Sequence, residues 1–83
     1  MFGRKKTKFY KCLTSNQSLA KTVGTNPCTV QEMEDGTLRI LVFDENDPDN
    51  TAVLFTTKVT NKNKSTGGII YRTRHSVYFF YPA

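Results

Sequence analysis

His75 is the one side chain in this sequence whose ordinary pKa lies near neutrality, and Cys12, Cys28 and seven carboxylates are the groups that could ligate a metal or share acid–base work with it. A catalytic histidine needs an orienting partner and a nucleophile within reach, and the residues around His75 offer no spacing of that kind. The chain has no GxSxG, P-loop or GxGxxG motif. It is read as a protein without catalytic residues or cofactor. Zinc requires about four ligands at short spacings, and Cys12, Cys28 and His75 form no CxxC or HxxxH pattern, so no metal site is assigned. Asp44, Asn46, Asp47, Asp49 and Asn50 put oxygen atoms into one short segment, but without the order of an EF-hand loop or its closing glutamate; a solvated turn is the expectation there.

The second kind of chemistry the chain could perform is recognition. Phe9, Tyr10, Tyr71 and Tyr78 each stand within a few residues of Lys8, Lys11, Arg72 or Arg74. Rings on which bases stack, interleaved with cations that meet phosphates, are what a single-strand nucleic-acid surface is made of. The residues expected to carry such binding are Lys8, Tyr10, Lys11, Arg72, Arg74 and Tyr78, with Lys62 and Lys64 closing over the strand from a mobile basic loop, 61–68. The segment GRKK near the start would add contacts to phosphates that depend on salt and not on base sequence.

Charge is arranged in three blocks. Residues 1–31 carry six bases and no acid, residues 32–50 carry all seven acids against Arg39, and residues 51–83 carry five bases and no acid, giving +5 overall. The polyanion reading expects the two basic blocks to converge and the acidic one to point away. The competing expectation is a small protein-interaction module or inhibitor, which would use an exposed edge strand at 6–14 and the acidic loop 44–50 to meet a partner, an acidic protein surface or a second copy included.

These groups must be positioned by strands. β-branched and aromatic residues dominate and no long window keeps a helical apolar period. TVQEMEDGTLRILVF, residues 29–43, reads as a hairpin with Asp35-Gly36 in a type I′ turn. Residues 15–23 can hold a short helix capped by Ser15 or Asn16, with Leu19, Ala20 and Val23 inward. AVLFTTKVT is a further strand, and VYFFY near the end alternates Val77, Phe79 and Tyr81 with Tyr78 and Phe80, so both of its faces are apolar. Five or six strands follow, with at most one short helix.

At 83 residues the chain is expected to be a single domain, 1–83, with 1–5 a flexible basic terminus. A sheet this small cannot leave one face wet, so the fold class is all-β, a curled antiparallel sheet or a partly closed barrel of OB-like or SH3-like type. No apolar signal region or membrane-length segment is present, which favours a cytoplasmic location, and a reducing compartment favours free thiols at Cys12 and Cys28.

Overall fold

A computed structural model describes residues 8–47 and 49–83, so the expected flexible terminus 1–5 and the GRKK segment lie outside the described residues. Its elements are β1 (Tyr10–Thr14), α1 (Gln17–Val23), β2 (Cys28–Glu32), β3 (Leu38–Phe43), β4 (Thr51–Phe55), β5 (Val59–Ser65), β6 (Gly68–Thr73) and β7 (Val77–Pro82). Seven strands, and not the expected five or six, form one antiparallel sheet in the order β4-β3-β2-β1-β7-β6-β5, because the polar segment 59–65 is itself a strand. The class is all-β with one short helix, as the strand-rich pattern requires.

β3 shows how the alternation works. Leu38, Ile40 and Val42 are buried while Arg39, Leu41 and Phe43 are partly exposed, so one face of a single strand is core and the other is exterior. The paired strands follow the same parity. Cys28 and Val30 lie opposite Val42 and Ile40, and Ala52 and Leu54 lie opposite Val42 and Ile40 on the other side. In the other half, Phe80 sits between Cys12 and Ile69, and Tyr78 between Thr14 and Tyr71.

The two halves meet at a bend. β1 and β2 share only the pair Tyr10–Cys28, after which the strands diverge and α1 enters between them in sequence. The inner faces then fold towards each other: Glu32 on β2 accepts hydrogen bonds from Tyr71 on β6, at 3.1 Å, and Lys62 on β5, at 2.6 Å. Residues of both halves and the helix form one core of Cys12, Leu19, Val23, Cys28, Leu38, Ile40, Val42, Tyr71, Tyr78 and Phe80. Tyr71 meets Phe80 edge-on at 5.8 Å, the arrangement favoured by the ring quadrupoles.

Residues 56–58 connect the two opposite edges, β4 and β5. Phe55 to Val59 is four steps of chain, at most about 14 Å, so the sheet must curl. Thr56 donates to Leu38 O and Val59 to Gly36 O, carrying the link past the β2–β3 hairpin. The sheet is therefore strongly curled, yet β4 and β5 have no register with one another and no OB-like or SH3-like barrel is closed.

α1 is capped by Asn16, whose side chain accepts from Leu19 N at 3.1 Å, and buries Leu19 and Val23. The β2–β3 turn differs from the expected type I′. Only Gly36 has positive φ, 90°, and the bonds Gly36 N to Met33 O and Met33 N to Thr37 O describe a type I turn closed by a glycine bulge. Asp35 has the negative φ that the third position of a type I turn takes, and its carboxylate accepts from the Thr37 amide at 3.0 Å and the Thr37 hydroxyl at 2.6 Å.

Two further expectations are corrected. The segment expected to be an edge strand, 6–14, contains β1, which lies inside the sheet between β2 and β7. Its mixed pattern arises because Tyr10 and Cys12 face the core while Lys11 and Leu13 face outward. Lys62 and Lys64 do not lie in a loop: 59–65 is β5, paired with β6 as far as the turn at Ser65–Gly68. Such a strand has no apolar period because both of its sides are wet, and the backbone ladder alone defines it.

A ring-and-cation face as candidate nucleic-acid interface

Parity places the expected residues on two different sides of the sheet. Tyr10, Lys62, Lys64 and Tyr78 share the inner parity; Lys11 and Arg72 share the outer one. Tyr78 is 2 % exposed and its hydroxyl accepts from Asn16 Nδ2 at 3.3 Å, so it offers no ring face for stacking and its expected role is withdrawn. Tyr10 is half-buried against the core, with its ring 6.3 Å from that of Phe80, and Lys8 lies over it at 5.6 Å. Lys64 is exposed on β5, opposite Ile69.

The acidic block does not stand apart from the cations. Lys11 Nζ lies 3.1 Å from Glu45 and also donates to Thr25 O. Lys62 is paired with Glu32 and lies 5.7 Å from the Tyr71 ring centroid. The hydrogen bond from Lys62, and then that from Tyr71, hold the Glu32 carboxyl below its usual range. Burial, reinforced by the Glu32 carboxylate, pushes the Tyr71 hydroxyl up.

What assembles on the exterior of β1, β7 and β6 is a different set. Phe79 and Tyr81 stack at 5.6 Å with an interplanar angle of 29°. Leu13 lies opposite Phe79, Lys11 opposite Tyr81, Ile70 on the far side of Phe79, and Arg72 opposite Val77. Leu13 is 59 % exposed and Phe9 43 %, and Phe9 meets Phe43 edge-on at 5.5 Å where the sheet bends. Arg72 is exposed, and Arg74 follows in the β6–β7 turn. Among the described residues, the strand-borne cations of outer parity, Lys11, Arg39 and Arg72, stand on a face without a strand-borne acid, since Glu32, of inner parity, is the one carboxylate within the described strands.

The two rings Phe79 and Tyr81 were absent from the expected set although VYFFY displays them. The alternation separates two apolar faces, but which of them turns inward depends on where β1 and β6 pair, and that is set by distant residues.

No protein-family model, curated protein or solved structure matches the chain. Its chemistry is therefore read from its own side chains.

The remaining reactive groups are placed as follows. His75 is exposed in the β6–β7 turn, which is closed by Thr73 N to Ser76 O and Ser76 N to the Thr73 hydroxyl. Cys12 and Cys28 are free and buried; burial, then proximity of the two sulfurs, pushes Cys12 up to about 12, and burial pushes Cys28 up to about 11. In the acidic loop, Asp44 accepts from Asn46 N and Asp47 from Asp49 N, so both carboxylates shape turns. No three His, Cys, Asp or Glu side chains converge among the described residues. An open groove of about 410 Å³ is lined by Gln31, Glu32, Met33, Glu34 and Asp35, a surface that repels phosphate. No helix among the described residues is long and apolar enough to cross a membrane.

Proposed function

We propose that the protein binds single-stranded nucleic acid without catalysing a reaction, and that the strand lies along the exterior of β1, β7 and β6. The observation that carries this reading is the stacked pair Phe79–Tyr81 on a face whose strand-borne charges, Lys11 and Arg72, are both cationic. A ring offers any base a stacking surface worth about 1–3 kcal/mol, and lysine and arginine meet phosphates irrespective of sequence. Arg74 extends the cationic side past the end of β6, and Phe9 extends the aromatic side towards the bend. Glu45 acts against binding by occupying Lys11.

The test is a fluorescence-anisotropy titration of a labelled oligonucleotide at low and at physiological salt. Binding is expected to weaken as salt rises, and Phe79→Ala and Arg72→Ala are each expected to weaken it further. Glu45→Gln frees one ammonium group and should steepen the dependence of log affinity on log salt by about 0.7. No binding at low salt, or binding untouched by Phe79→Ala, removes this function. In that case the exterior face serves protein recognition, and its partners survive nuclease treatment of a lysate.

A further inference from the structure

The two edges of the sheet are guarded very differently. β5, at one end, is VTNKNKS: it carries Lys62 and Lys64 and a register irregularity between Val59 and Asn61, the usual devices that stop another strand from adding. β4, at the other end, is TAVLF, with no charge, proline, glycine or bulge, and with Val53 46 % and Phe55 63 % exposed. Among the described residues, its backbone groups directed away from β3 have no strand partner, since β4 ends the sheet.

We propose that β4 pairs antiparallel with β4 of a second copy of this chain, joining the two sheets across a twofold axis at Val53. A strand laid against itself about its central residue puts Thr51 opposite Phe55 and Val53 opposite Val53, so no like charges meet. The same operation on β5 would set Lys62 of one copy against Lys62 of the other. The strand ends add no repulsion. Antiparallel pairing brings the acidic loop that precedes β4, with Asp47 and Asp49, towards the uncharged end of the other β4, whose following Lys58 lies against Gly36 and beside Asp35 of its own hairpin, so no like charges meet there and the twofold axis repeats this contact. A second copy therefore suits this edge better than an arbitrary extended peptide. The exposed rim of Val53 and Phe55 is covered at the same time, which removes the aggregation hazard of a bare apolar edge.

Sedimentation or light scattering on the whole chain reads the result directly. The wild type is expected at twice 9.4 kDa, falling towards the single-chain mass on dilution. Val53→Lys places two ammonium groups face to face at the axis and should give the single-chain mass with an unchanged far-UV spectrum. Should that variant fail to fold, Val53→Cys gives an independent readout. Its two sulfurs face one another across the axis, so under mild oxidation it should form a covalent dimer faster than Leu13→Cys, a control more open to solvent than Val53 on the other half of the sheet. A wild type that stays at the single-chain mass at every concentration, a folded Val53→Lys that keeps the doubled mass, or equal cross-linking rates for the two cysteine variants would each overturn the pairing. Oligonucleotide binding uses the exterior of β1, β7 and β6, so failure of one proposal leaves the other standing.

Discussion

Phe79 and Phe80 are adjacent, chemically identical and on opposite faces of β7, which makes them a direct measure of the division between core and exterior. Phe80 is fully buried, touching the Tyr71 and Tyr10 rings edge-on, so Phe80→Ala loses the ring and leaves a cavity, at a cost of about 3–5 kcal/mol. Phe79 is half-buried, and Phe79→Ala should cost about 1 kcal/mol. A chain of this size has roughly 4–12 kcal/mol in total, so the first substitution removes much of the stability or all of it. Urea unfolding followed by tyrosine fluorescence and far-UV circular dichroism reads the difference, since the chain has four tyrosines and no tryptophan. With a slope of about 1 kcal/mol per molar urea, the midpoint should move by about 1 M for Phe79→Ala and about 3 M or more for Phe80→Ala, including complete loss of a cooperative transition. Oligonucleotide affinity should show the reverse order among folded variants, because loss of one stacked base costs about 1–3 kcal/mol, roughly fivefold to more than a hundredfold. Equal midpoints, or a larger loss for Phe79→Ala, would refute the assignment of faces on which both the fold and the proposed interface rest.

Three further outcomes follow from particular contacts. Gly68 has φ of 145°, and a Cβ there would stand 2.3 Å from Phe80 O and 2.9 Å from the Phe79 ring, so Gly68→Ala should cost about 2 kcal/mol or more in the same urea experiment. The folded thiols hold their protons more tightly than unfolded ones. The stability they contribute should therefore be fully present below pH 9.0 and decline as pH rises through about 11 and 12, measured by urea midpoints across that range and blunted in Cys12→Ala. Glu32 has the opposite sense. Its carboxyl is held below 4.5, so the stability it contributes is present above that pH and lost as the pH falls below it, and Glu32→Gln should flatten the acid limb of the stability profile.

Much of the β2–β3 hairpin could be read in the sequence, because Leu38, Ile40 and Val42 alternate with polar and half-exposed residues and Gly36 marks the turn; local pattern and tertiary burial agree there. The helix was partly legible: Leu19 and Val23 marked its inner side, while Ser15 and Asn16 both offered a cap and the fold uses Asn16. β5 was not, since a strand exposed along both sides carries no hydrophobic period and NKNKS resembles a polar turn. The interior place of β1 was hidden for a related reason: Lys8 and Lys11 suggest an edge, whereas Lys11 satisfies its ammonium group on Thr25 and Glu45, which are remote in sequence. For the candidate interface the right residue types were visible, but the choice of rings was not, because Phe80 and Tyr78 become core only through pairing with β1 and β6.

The place of β7 in the sheet has a consequence for how the chain is made. It is the last of these strands to be synthesised, yet it lies between β1, the first, and β6, and brings Tyr78 and Phe80 to the centre of the core. Until it arrives, β1 lacks the neighbour with which it shares five residue pairs, while β2, β3 and β4, contiguous in the chain, can already zip together as a meander. Uniting the two ends of the chain requires closing a long loop, an entropic cost that only the finished core offsets, so maturation should be slow and late. A nascent intermediate displaying the bare TAVLF edge is the species a chaperone would need to shield.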